Sequence, residues 1–76
     1  MANSPDAKPP LWRRPDGAPV SCVEKIKVLN ENYRELAQLA QDAFEDALLM
    51  ECDEAQIRQA LHELVDSLLN PYAGRK

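Results

Sequence analysis

Two cysteines and a single histidine are the residues of this chain that could support nucleophilic or metal-assisted chemistry. Cys22 or Cys52 could supply a thiolate, and His62 could act as the base that activates it. However, His62 lies ten residues beyond Cys52 in a segment of helical pattern, which is too far for a hydrogen bond within one chain. No Cys-x-x-Cys, paired histidine or Glu-x-x-His motif is present. We therefore predict no catalytic residue, no metal and no cofactor, and a protein that is not an enzyme.

The two cysteines also indicate the cellular compartment of the protein. They fall at opposite ends of a predicted helix about 45 Å long, which excludes a disulfide between them within one straight helix. Free thiols, together with an N-terminus that lacks the apolar segment of a secretory signal, predict a cytoplasmic protein. No apolar run approaches the length needed to span a membrane.

The charge is unevenly distributed along the chain. The net charge is −4, and eleven of the thirteen acidic residues lie in residues 21–70. An acidic body repels phosphate, which argues against nucleic acid as a partner. Six carboxylates lie close together in residues 42–54, where the predicted helices described below are connected. We interpret them as a solvated face. The alternative is a docking site for a basic partner or for Arg13 and Arg14 of the same chain. They are Asp42, Glu45, Asp46, Glu51, Asp53 and Glu54.

The central stretch of the chain predicts one long amphipathic helix over residues 22–51. Apolar residues recur there at alternating spacings of three and four, with heptad character and without glycine or proline. Ser21, followed by Glu24 three residues on, predicts a capping box at the start of the helix. The apolar stripe consists of Ile26, Leu29, Tyr33, Leu36, Ala40, Ala43, Ala47 and Met50.

A second, shorter helix is predicted over residues 54–69. Asp53 is a favourable N-cap, and Asn70-Pro71 ends the helix because the residue before proline avoids helical backbone. The very short connection makes the two helices neighbours, so residues 21–70 are predicted to form an antiparallel helical hairpin, with a near-perpendicular turn as the alternative. Residues 71–76 are predicted to be a frayed basic tail. The predicted fold class is all-α.

The N-terminal segment is predicted to be a flexible arm covering residues 1–20, since it holds five of the six prolines. It contains the only tryptophan, next to two arginines. Two interpretations remain open for Leu11, Trp12, Arg13 and Arg14. In one, Trp12 folds back onto the helices and the arginines meet the acidic surface; in the other, the segment is a linear docking motif for another protein.

The two predicted helices do not match in length. The second covers about 24 Å, roughly half of the first, so part of the apolar stripe is left for a partner. We predict a homodimer in which each long helix covers the other's unshielded half, forming a four-helix bundle with two-fold symmetry. The predicted partner or dimer interface consists of Ile26, Val28, Leu29, Tyr33, Leu36, Leu39, Ala40 and Leu49.

These observations favour a small interaction, adaptor or regulatory protein that acts as a helical dimer. The alternative is a DNA-binding regulator. Ala47, Ile57 and Ala60-Leu61 resemble the spacing of the helix-turn-helix pattern, with the second helix and the basic arm as the DNA-binding elements. In that interpretation Arg58 and Gln59 would read the bases, although carboxylates surround them and Glu51 stands where the pattern favours glycine.

Overall fold

The chain consists of two helices, as described for residues 7–74 by a computed structural model. Helix α1 spans Val23–Leu49 and helix α2 spans Glu54–Asp66, with no strand in the part of the chain described. The predicted all-α class is confirmed. Each helix is shorter than predicted: α1 starts one residue later and ends two residues earlier, and α2 ends three residues earlier.

The start of α1 differs from the prediction. Cys22 is the N-cap residue: its backbone is extended, and its carbonyl accepts the first helical hydrogen bond from the N–H of Ile26 at 3.0 Å. No side chain caps this end, so the predicted capping box of Ser21 and Glu24 is wrong. The reason lies just upstream, where the N–H of Val20 binds the carbonyl of Trp12 at 2.9 Å and keeps the chain extended up to that point.

The end of α1 is a Schellman motif, in which the last carbonyls of the helix accept hydrogen bonds from the two residues that follow its cap. The N–H of Cys52 binds the carbonyl of Ala47, and the N–H of Glu51 binds the carbonyl of Leu48, both at 3.0 Å. This geometry requires left-handed backbone at Glu51, where φ is +69°. Glycine normally occupies such a position because a Cβ is strained there.

Glu51→Gly is expected to stabilise the protein by about 1 kcal/mol, since it removes the strain of left-handed backbone. Glu51→Ala serves as the matched control: it removes the same carboxylate from the negative end of the helix but keeps the Cβ. Urea unfolding of the three chains at one concentration measures the difference. Equal stability of the glycine and alanine variants would contradict this account.

Helix α2 begins as predicted and ends earlier. The Asp53 carboxylate accepts a hydrogen bond from the N–H of Gln56 at 2.9 Å, which confirms Asp53 as the N-cap. At the other end, the hydroxyl of Ser67 donates to the carbonyl of Leu64 at 2.7 Å and closes the last turn locally. The helix therefore stops at Asp66, before Asn70-Pro71 is reached.

Residues 12–20 form a tight hairpin that the sequence did not predict. The N–H of Arg14 binds the carbonyl of Ala18 at 2.8 Å, and the N–H of Gly17 binds the carbonyl of Arg14 at 2.8 Å. Gly17 has φ of +91°. A proline-containing turn followed by a left-handed glycine is the usual three-residue hairpin loop. The flexibility of the arm stays a prediction, and its residues 1–6 lie outside the described part, as do residues 75 and 76 of the predicted frayed tail.

Trp12 attaches this hairpin to α1. Its indole Nε1 donates to Oδ1 of Asn30 at 2.7 Å, and its ring meets the ring of Tyr33 edge-on, with centroids 5.9 Å apart. In the structure, Trp12 therefore folds back onto the long helix. The arm covers part of the N-terminal half of α1, which the sequence analysis left to a second subunit.

Gly17→Ala is expected to loosen the hairpin, because an L side chain is strained at this φ although the space around it is open. The emission of Trp12, the only tryptophan, should then shift to longer wavelength. Gly74→Ala is the matched control, since Gly74 also has positive φ and open surroundings but lies in the C-terminal turn. The same red shift in both variants, or in neither, would contradict the account.

Packing between the helices is limited to the region near their connection. Ile57 and Leu61, in the first half of α2, are half-buried, whereas Leu64 and Val65 on the same face are 59% and 64% exposed. A fully packed antiparallel hairpin would cover this face along its whole length. The radius of gyration of 15.7 Å exceeds the roughly 11 Å expected for a compact chain of this length.

Candidate protein-interaction surface

The predicted interface residues separate into two groups in the structure. Ile26 and Leu29 are half-buried on α1, and the exposed Tyr33 contacts Trp12 of the same chain. The remaining five are exposed to solvent: Val28, Leu36, Leu39, Ala40 and Leu49. Among these, Leu49 is 83% exposed. The arm thus uses part of the surface assigned to a partner, and the rest is left uncovered.

The arm and α2 both lie on one side of α1. Their contacts, Asn30 and Tyr33 for the arm and Phe44 for α2, fall within about 60° on the helical wheel. Leu36 and Leu39 project about 90° and about 150° away from the middle of this side. The uncovered surface is therefore the face of α1 that points away from the rest of the chain.

We call this uncovered face the outer stripe. Its apolar members are Val28, Leu36 and Leu39, which are 53%, 65% and 66% exposed, and the exposed Ala43. Three exposed polar residues share the same arc of the wheel: Lys25, Asn32 and Asp46. Ala43 was predicted on the apolar stripe but not in the interface, Asp46 was predicted on a solvated acidic face, and neither Lys25 nor Asn32 was predicted to belong to a surface. Their spacings of three and four along α1 are the signal that could have found them.

A shallow groove lies in the middle of the outer stripe. It is lined by residues at positions i, i+3, i+4 and i+7 of α1, which are Asn32, Glu35, Leu36 and Leu39. Four residues in this arrangement make the hole that receives a side chain of a facing helix in coiled-coil packing. The groove is thus suited to one apolar side chain.

The arginines of the arm bind their own hairpin. Arg13 Nη1 donates to the carbonyl of Gly17 at 2.9 Å, and Arg14 pairs with Asp16 at 3.0 Å. The interpretation in which they meet the acidic end of the helices is therefore wrong for this structure. Both remain exposed, as does Leu11, so docking of the arm to another protein stays a prediction.

The side chains proposed to read DNA are engaged within the chain. The Arg58 guanidinium lies 4.7 Å from the ring centroid of Phe44 and pairs with Glu54 at 3.1 Å. Gln59 donates to Glu63 at 3.0 Å. Arg58 therefore links the two helices at their connection.

Cys22 and Cys52 are both free and exposed. Although the Cys22 sulfur accepts no hydrogen bond of standard geometry, the backbone N–H of Lys25 lowers the pKa of this thiol below its ordinary 9.0. The N–H of Glu24 and the charge of Lys25 act in the same direction, and slight desolvation opposes them. The start of a helix favours a thiolate for this reason. Across residues 7–74, no hydrogen bond joins His62 to either cysteine.

In a Cys52→Ala variant, alkylation of Cys22 should have a lower pH midpoint in the folded chain than in concentrated urea. The sign follows from the helix: folding favours the thiolate, so less alkaline solution suffices to form it. The rate of iodoacetamide modification against pH measures both midpoints. A folded midpoint at or above the unfolded one would contradict the account.

Within residues 7–74, no group of three or more His, Cys, Asp or Glu side chains is arranged to hold a metal ion. Neither helix of this part of the chain is long and apolar enough to cross a membrane. Comparison with protein-family models, curated proteins and solved structures gives no match. A proposal about function therefore depends on the surfaces of the chain itself.

Proposed function

We propose that this chain is a small non-enzymatic interaction module, an adaptor or regulatory protein, that acts as a helical homodimer. One observation supports this most directly: no side chain among residues 7–74 is buried, although 45% of the whole chain is hydrophobic. A folded chain needs buried apolar surface to offset its lost conformational entropy. A second subunit can supply that burial.

The size of the uncovered surface supports the same proposal. The accessible surface is 6818 Å², whereas a compact protein of 8.6 kDa exposes roughly 4,700 Å². The excess is larger than the ~800 Å² that each partner buries in a standard interface. The chain thus has enough free surface for a stable dimer.

The dimer that we propose is an antiparallel four-helix bundle, in which the α1 helices of two copies lie side by side and each α2 flanks them. Closed two-fold symmetry lets one self-complementary surface satisfy both subunits. The free thiols of Cys22 and Cys52 suit a reducing compartment, and we place the dimer in the cytoplasm. Binding of DNA gains no support, because Arg58 and Gln59 are already paired with carboxylates.

Sedimentation equilibrium at micromolar concentration is expected to give twice the chain mass. Leu36→Glu should raise the Kd at least tenfold, since it places a charge in the centre of the outer stripe of both subunits. Val23→Glu is the matched control: Val23 is also exposed, but it lies on the opposite side of α1 and should leave the Kd unchanged.

A chain mass at every concentration, with the far-ultraviolet circular dichroism of a folded helical protein, would refute the proposed dimer. Equal weakening by Leu36→Glu and Val23→Glu would refute the outer stripe as its interface while leaving dimerisation in place.

A further inference from the structure

Six of the seven members of the outer stripe pair with one another when α1 is reversed about the middle of the stripe. From Lys25 onwards the members follow at intervals of three, four, four, three, four and three, ending at Asp46. The midpoint falls between Glu35 and Leu36. Reversing α1 about this point places Lys25 on Asp46, Val28 on Ala43 and Asn32 on Leu39. Leu36 alone falls on a residue outside the stripe, Glu35, so an antiparallel pair of α1 helices brings the other six members together in three kinds of pair.

From this pairing, and from the opposite charges at the two ends of the stripe, we infer that the outer stripe is an antiparallel self-association surface in which Lys25 of one subunit pairs with the partner's Asp46. This inference rests on the proposed dimer and specifies its face, its direction and its register. The proposed two-fold axis is perpendicular to α1 and lies level with the midpoint between Glu35 and Leu36. Each dimer then contains two identical charge pairs, one at either end of the stripe.

The groove at the centre of the stripe supports this register. Asn32, Glu35, Leu36 and Leu39 form a hole centred on the proposed axis. In the antiparallel register, the partner's Leu36 lies directly opposite this hole, and each subunit inserts the same residue into the other. Leu36 is 65% exposed in the single chain, so its side chain is free to insert.

The charges at the two ends of α1 support the same direction. Lys25, the basic member of the outer stripe, lies near the start of the helix, whereas the acidic member Asp46 lies in the last turn, which contains no basic residue. Antiparallel packing brings unlike charges together and opposes the helix dipoles favourably. A parallel pair would instead place Lys25 on Lys25 and Asp46 on Asp46.

Charge reversal tests the pairing directly. Lys25→Glu and Asp46→Lys should each raise the Kd by about tenfold at low salt, because each change turns two attractions per dimer into repulsions. The double variant Lys25→Glu/Asp46→Lys should return to within about twofold of the unaltered chain. Mixing the two single variants should also restore association, since each then meets its opposite charge in the other subunit.

This restoration can arise only between subunits. Lys25 and Asp46 lie about 30 Å apart along one helix, so they cannot pair within a chain. Each single change also favours the isolated helix, because it puts an acid near the N-terminus or a base near the C-terminus. Weaker association would therefore come from the interface. Lys27→Glu is the matched control, with the same charge change on another side of α1.

Sedimentation equilibrium of these five chains and of the mixture separates the outcomes. Restoration by the double variant and by mixing supports the register. The register is overturned if the Kd of the dimer is unchanged by the charge reversals, or if Lys27→Glu raises it equally. The proposed dimer would then stand. Its interface would be sought on the exposed face of α2 around Leu64 and Val65. Absence of any dimer in the unaltered chain overturns both.

Discussion

The structure is limited by one constraint: its two helices present more apolar surface than they can bury against each other. Two helices joined by a short turn can bury only what each presents to the other, and α2 reaches only the C-terminal part of α1. The hairpin around Trp12 covers some of the remaining length. The Trp12 hairpin and α2 lie on the same side of α1, where the Trp12–Asn30 hydrogen bond holds the hairpin and the Arg58–Phe44 contact holds α2. The apolar residues of the outer stripe therefore stay exposed, and this exposure is the reason that we propose association.

Local signals in the sequence predicted much of the fold. The spacing of apolar residues identified both helices, and the Asp53 side chain fixed the start of α2 as expected. The predicted start of α1 and the predicted end of α2 were wrong because other local hydrogen bonds formed there instead. Ser21 could have capped α1, but the hairpin hydrogen bond at Val20 kept this segment extended. Ser67 closed the last turn of α2 before Pro71 could act. Such competition depends on the relative strengths of neighbouring hydrogen bonds, which a single motif does not contain.

The surface was harder to predict for a different reason. A helix that packs on its own chain and a helix that packs on another copy show the same spacing of three and four. The sequence prediction therefore assigned Tyr33, Leu36 and Leu39 alike to a second subunit, although Tyr33 contacts Trp12 of the same chain. The contact between Trp12 and Tyr33 shows which side of α1 is occupied by the chain itself. Lys25 and Asp46 lie on the free side, and their pairing between subunits is a proposal that rests on these positions.

Thermal unfolding at protein concentrations spanning a hundredfold range tests the central claim most directly. If a second subunit supplies the buried surface, mass action requires the midpoint Tm to rise steadily with concentration, because dilution favours separate and uncovered chains. A single cooperative transition whose Tm is the same at every concentration would show that the chain is stable alone, and it would contradict the account.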